Sequence, residues 1–205
     1  RFCAVLRPHR RILLATHENP DVDGIGAVQA LACYLRGLGK EVRVVVTPVF
    51  PAFLGFLDPE GRVETFRTRQ DHEELGAWPD AWVLVDASEP GRMGAMREAF
   101  AASKAVKICL DHHLKADSRG FDMDFTDPDA SASAELVFDL VEGRMSRPLP
   151  AAIVTALYAG LVDDTGNFRF SNATPRVHRI GAALIEDGAD PAGIYQQLYH
   201  QDRME

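Results

Sequence analysis

In the stretch Ala105-Val106-Lys107-Ile108-Cys109-Leu110-Asp111-His112-His113, a mostly apolar run ends in a carboxylate and two imidazoles. A short apolar run without polar alternation fits a strand covered on both faces. Asp-His-His suits neither a strand interior nor a core, so this strand ends by presenting chemistry at its tip. Three other segments share the form. His17-Glu18-Asn19-Pro20-Asp21-Val22-Asp23-Gly24 follows the strand-like Arg11 to Thr16, Asp86 ends Ala81 to Val85, and Asp163-Asp164-Thr165-Gly166 ends the apolar stretch Ala151 to Val162. In an open α/β sheet, ligands bind beyond the carboxyl ends of the strands. The four acidic or His-bearing ends are therefore expected to converge there.

The rest of the chain is read around these four segments. Strands are expected at 11–16, 42–47, 63–66, 81–86, 105–111 and 121–125, and helices at 24–38, 92–102, 131–142, 151–163 and 175–186. Asp190-Pro191 is a cap and first-turn pair for a last helix. Strands alternating with helices imply an α/β fold, a mostly parallel sheet with helices on both faces.

The 205 residues suggest one large domain or one domain with an appendage, and 46% hydrophobic residues suffice for a real core. Cys3, Cys33 and Cys109 have no metal-type spacing. An odd count without a framework suits a reducing, cytoplasmic setting. Cys33 and Cys109 are expected in the core, and His9, His72, His178 and His200 at the surface. No signal peptide or membrane-spanning run is evident. A formal charge of −8 argues against broad binding to duplex nucleic acid, though not against a short anionic substrate. The chain starts at Arg1 rather than Met and ends without a clear stop, which points to a trimmed piece of a longer protein, with a cloning or numbering effect as the alternative.

His17, Asp21 and Asp23 lie in a turn, because Pro20 biases Asn19 away from helix. In an extended turn Asp21 and Asp23 point the same way and could each serve one of two neighbouring cations. Gly24 and Gly26 let the backbone pass close to the site. A helix-capping Asp beside a surface His is the plainer alternative, as is Asp86 capping a helix after Pro90. Asp163 and Asp164 sit where the helix macrodipole disfavours anions, so a bound cation would compensate them. A set of His and Asp ligands without Cys suits harder ions: Mn2+, with Mg2+ or Co2+ also suitable and Zn2+ less so. Two such cations roughly 3.5–4 Å apart would activate a hydroxide for in-line attack on phosphorus.

Four motifs in order, His17-x-x-Pro20-Asp21-x-Asp23, Val85-Asp86, Asp111-His112-His113 and Asp164-Thr165-Gly166, resemble the DHH phosphoesterase superfamily over roughly residues 10–185. The segments Ser131-Ala132-Ser133-Ala134-Glu135 and Tyr158 to Phe170 are similar to its oligoribonuclease branch, whose members degrade very short RNA and dephosphorylate 3′-phosphoadenosine 5′-phosphate. The resemblance implies a hydrolase with two Mn2+ ions. One would be held by His17, Asp21 and Asp86, the other by Asp23, Asp86, His112 and Asp164, with Asp86 bridging. His113 would face the substrate phosphate and Asp111 would orient the histidines. Asp163 would be a neighbour only. The resemblance also implies that residues 1–186 are the catalytic domain and 187–205 the helical start of a linker, the family's C-terminal substrate domain being absent. Expected partners are short single-stranded RNA or a small nucleotide, with a homodimer as the candidate assembly and neither duplex DNA nor a membrane. Pyrophosphatase, cyclic-dinucleotide phosphodiesterase and single-strand exonuclease activities stay open, as does a catalytically silent nucleotide-binding domain.

Overall fold

A computed structural model describes residues 1–67, 69–114 and 120–199, excluding the side chains at 69 and 70. Six parallel strands, β1 (Arg11–Ala15), β2 (Glu41–Val46), β3 (Val63–Thr65), β4 (Ala81–Val85), β5 (Val106–Asp111) and β6 (Met123–Thr126), form one sheet in the order β3-β2-β1-β4-β5-β6. The chain builds outward from β1 to β3, then restarts beside β1 with β4 and builds the other way. The order thus reverses between β1 and β4, and the crevice beyond their carboxyl ends is where such sheets place ligands.

Among the described residues, eight α-helices surround the sheet: α1 (Phe2–Leu6), α2 (Val22–Gly37), α3 (Arg69–Ala77), α4 (Arg97–Ala102), α5 (Ser133–Val141), α6 (Ala151–Asp164), α7 (Pro175–Glu186) and α8 (Pro191–Tyr199). Strand alternation decides which helices each face receives. Ile12, Leu14, Val83, Val85, Ile108 and Leu110 pack with α2, α5, α6 and α7 in the larger core. Leu13, Ala15, Trp82 and Leu84 meet Leu75 of α3 and Ala99 and Phe100 of α4 in the smaller one. Because both faces are covered, the central strands read as continuous apolar runs.

Some expectations need correction. The helix expected at 92–102 is a 3-10 helix, Pro90–Met96, followed by α4, because Gly94 at φ 53° breaks the helical path. The helix expected from Gly24 starts at Val22. Three elements were not anticipated: α1, α3 and a 3-10 helix at Ala52–Leu57. Helix α3 is almost entirely polar, with Leu75 the one buried anchor among its described side chains, so no apolar period marks it. Cys33, His9 and His72 are half-buried, Cys109 is buried and His178 is exposed; His200 lies outside the described residues. Among the described residues, no helix is long and apolar enough to cross a membrane.

Candidate metal centre

The four segments meet at the switch point. His17 follows β1, Asp86 follows β4, Asp111 ends β5, and Asp164 ends α6. Asp21 is the N-cap of α2, its Oδ1 accepting from Gly24 N at 2.9 Å. That bond starts the helix before Asp23, so Asp21 and Asp23 do not lie in one extended turn and do not point the same way. Asp21 turns toward His17, whose Nε2 lies 3.1 Å from Asp21 Oδ2 and 3.6 Å from Asp86 Oδ2. Asp23, fully buried in the first turn of α2, faces His112 and α5 instead. Asp21 does cap the helix, as in the plainer alternative, but His17 is not the surface residue that alternative supposed, being only 7% exposed. Asp86 caps nothing: the helix after Pro90 has Glu89 at its N-cap position. Its φ of 61° is a left-handed conformation, which Asp tolerates better than most residues and which is typical of functional sites.

The side chains fall into groups whose ligand-type atoms lie within 4.8 Å of one another: His17, Asp21 and Asp86; Asp23, His112 and Asp164; and Asp86 with Asp111, His112 and His113. His112 Nε2 joins the first two, 3.0 Å from Asp164 Oδ2 and 3.4 Å from Asp86 Oδ1. Yet among the described residues this buried nitrogen has no hydrogen-bond partner of acceptable geometry. A nitrogen aimed into carboxylates without a proper hydrogen bond fits a metal ligand better than a structural donor. His17 differs: its Nδ1 lies against Glu18 O at 2.9 Å and its inward Nε2 hydrogen-bonds Asp21 Oδ2 at 3.1 Å. Glu18 is itself clipped to the 3-10 helix Pro90–Met96, its N donating to Arg92 O at 2.6 Å and its carboxylate filling the space beside Gly94.

The electrostatics match this picture. Burial raises Asp23 well above the usual carboxylate range, and Asp86 and Asp164 push it further. Burial likewise raises Asp164. Asp163 is pushed up to about 6 by burial, Asp21 and Asp164, and it joins none of the three groups. Burial opposes charge on both histidines, but Asp21 and Asp86 lift His17 to about 10, and Asp164 and Asp86 lift His112 to about 11. Asp86 is lowered because His112 and His17 outweigh its burial. Crowded carboxylates thus recruit positive charge wherever they can, which is the chemistry of a cation site.

Asp111 is fully buried, and its Oδ1 accepts from His112 N at 2.9 Å and meets His113 Nδ1 at 2.8 Å. His113 is 42% exposed in its side chain, its Nδ1 fixed by that contact. Ser133 and Gly160 were not singled out for the site from sequence. Ser133 Oγ donates to Asp86 Oδ1 at 2.9 Å, and the N–H groups of Ser133 and Ala134 donate to Asp23 at 2.6 and 3.0 Å. A Cβ on Gly160 would lie 2.6 Å from Asp23 Oδ1, so only glycine leaves room for that carboxylate. A Ser at a helix start was the available signal, but its partners are 47 and 110 residues away.

Residues 11–161 match the family model described as DHH family, N-terminal domain. The chain is 36% identical to the bifunctional oligoribonuclease and PAP phosphatase NrnA of Thermus thermophilus, over 91% of this chain and 53% of that protein. It is 26% identical to the cyclic-di-AMP phosphodiesterase GdpP of Bacillus subtilis, over 91% of this chain and 29% of that one. A crystal structure of an exopolyphosphatase-related protein from Bacteroides fragilis superposes with a TM-score of 0.88 at 27% identity, covering 97% of this chain and 59% of the other. The chain spans about half the length of the NrnA relative. With its four motifs gathered at the switch point of a parallel sheet, this chain belongs to the DHH family.

Proposed function

We propose that this chain is the catalytic part of a metal-dependent phosphoesterase that hydrolyses short oligoribonucleotides, 3′-phosphoadenosine 5′-phosphate, or both. The observation that carries the reading is the pair of ligand groups, His17-Asp21-Asp86 and Asp23-His112-Asp164, with Asp86 3.4 Å from His112 Nε2. In this reading His17, Asp21 and Asp86 hold one divalent ion, and Asp23, Asp86, His112 and Asp164 hold the other. Mn2+ is the expected ion on ligand hardness. When bound, the pair supplies Lewis-acid charge for a phosphate and lowers the pKa of water enough to make a nucleophile.

The chain's own groups do the rest. Asp111 fixes the His113 ring through Nδ1, and the free edge of that ring is left for a phosphate oxygen or the leaving-group oxygen. Ser133 and Ala134 hold Asp23 and Asp86 in register. The N–H groups of Ser133 and Ala134 at the start of α5 serve Asp23 and are not free for substrate phosphate. The NrnA relatives support the choice of substrate class. Residues 1–186 would be the catalytic unit and 187–205 the start of a linker.

The test is turnover by the Mn2+-supplemented chain on a dinucleotide, a five-nucleotide RNA, 3′-phosphoadenosine 5′-phosphate, a cyclic dinucleotide and pyrophosphate. Hydrolysis of the first three above the last two is expected. Exclusive hydrolysis of pyrophosphate or the cyclic dinucleotide would move the assignment to another branch of the family.

A further inference from the structure

The turn after Asp164 is strained in a way the metal centre does not explain. Gly166, Asn167 and Phe168 have φ of 54°, 59° and 61°, three successive residues in a region that side-chain-bearing residues avoid. The surroundings enforce it. Asn167 N donates to Val162 O at 2.7 Å, and Arg169 N and Phe170 N both donate to Thr165 O at 2.9 and 3.0 Å. The Phe168 ring is pinned between Tyr158 and His178, at centroid distances of 6.0 and 5.3 Å. Asn172 ties the turn back to the ligand segment, its Nδ2 donating to Asp164 O at 3.0 Å.

The strained turn sends Arg169 and Phe170 outward. Phe170 is 59% exposed. Its ring lies directly on Gly166, within 2.4–2.6 Å of where a Cβ would sit, so glycine provides a flat seat and the ring stays largely open to solvent. Arg169 is fixed through Nε to Gly166 O at 2.8 Å, and among the described residues its Nη groups meet no acceptor. An open aromatic ring and a guanidinium whose Nη groups meet no acceptor among the described residues are therefore chain neighbours, in a turn tied back to Asp164 of the metal-ligand group. An aromatic ring stacks nucleobases without regard to sequence, and a guanidinium pairs with phosphate.

We propose that Phe170 is the base-stacking platform of a nucleotide subsite on the rim of the cleft, with Arg169 supplying the adjoining positive charge. The proposal rests on the phosphoesterase reading and specifies where a nucleotide's base would lie.

The test is calorimetric binding of AMP and of inorganic phosphate to the Mn2+-loaded chain. Phe170→Ala is expected to weaken AMP roughly five- to a hundredfold, the range for loss of one stacked base, and to leave phosphate affinity within about a factor of two. Phe170→Trp should retain AMP binding and Phe170→Leu should not, which separates stacking from simple coverage of Gly166. Arg169→Gln should weaken both ligands, because any phosphate reads that charge; unchanged affinity for both removes Arg169 from the subsite. The platform is overturned if the parent binds no AMP, if Phe170→Ala weakens both ligands equally or neither, or if Phe170→Leu binds AMP as the parent does. Binding is read apart from turnover. A parent that binds AMP through Phe170 but hydrolyses none of the panel refutes the activity and leaves the subsite standing; a parent that hydrolyses the panel with AMP binding indifferent to Phe170 does the reverse.

Discussion

Gly26→Ala tests whether the metal centre depends on how closely two helices approach. Gly26 lies on α2, between the segment carrying Asp21 and Asp23 and the rest of that helix, and it faces α6, which carries Asp164. This corrects the expectation that Gly26, like Gly24, serves backbone passage at the site. A Cβ at position 26 would lie 2.5 Å from the Ala156 carbonyl oxygen and 3.4 Å from Gly160 N, both backbone atoms that no rotamer change can move. An unstrained contact needs about 3.5 Å, so the two helices must separate by about 1 Å. Overpacking of this kind costs about 1–3 kcal/mol, and the better helix propensity of Ala returns about 0.8–1.0 kcal/mol. The net loss is about 0–2 kcal/mol, or a Tm lower by up to about 8 °C for a chain of this size. The same shift pulls Asp23 away from Asp164, and a 1 Å misplacement can cost about a hundredfold in rate. The control is Gly37→Ala on the same helix, where a Cβ meets nothing within 4 Å and the change should be neutral or slightly stabilising. Thermal melts with chelator and Mn2+ titrations of the parent and both variants provide the assay. Equal Tm and Mn2+ affinity for Gly26→Ala and the parent, or equal losses in both variants, would refute the reasoning.

Other outcomes follow from the same geometry. Asp86→Asn keeps a residue type tolerant of φ 61° and should bind fewer than two ions per chain and lose most turnover; parent-like stoichiometry by elemental analysis would remove Asp86 from the bridging position. Ser133→Ala deletes the 2.9 Å bond to Asp86 and should weaken metal affinity about 10–100-fold, as loss of an outer-shell partner does, whereas an unchanged titration would make that bond incidental. Mn2+ at a hundredfold excess over Kd should add about 2.7 kcal/mol, raising Tm by roughly 5–10 °C over the chelated protein; superimposable melts would count against the site. Away from the cleft, backbone and side-chain hydrogen bonds from Arg11 lower Asp80 to about 2. A depressed carboxylate stabilises fully above its ordinary pKa of 3.8 and loses that contribution as pH falls through its folded value. Asp80→Asn should therefore be less stable than the parent near neutrality and converge with it toward pH 2, as read by urea midpoints; a constant gap across that window would refute the linkage.

Hydrophobic patterning over short windows was enough to place the strands and most helices, because burial on both faces makes strands such as Ala81–Val85 continuously apolar. It was also enough to find the candidate ligands, because carboxylates and imidazoles at the ends of apolar elements are costly without a partner. Sequence could not show α3, whose one buried anchor among its described side chains, Leu75, leaves no period, nor the early start of α2, which depends on Asp21 accepting from Gly24 N. Patterning did not say which group each carboxylate joins; the family resemblance implied it, and the tertiary structure supplies the physical reason. Asp21 and Asp23 are two residues apart yet face different histidines, because the helix begins between them. Likewise only the folded chain brings Ser133 to Asp86 and Asp23, and lays Gly26 on Ala156. These are contacts between residues far apart in sequence, such as the 2.6 and 2.9 Å bonds of Ser133, which local composition does not encode. They exist only once the sheet order has set β1 beside β4 and α2 against α6.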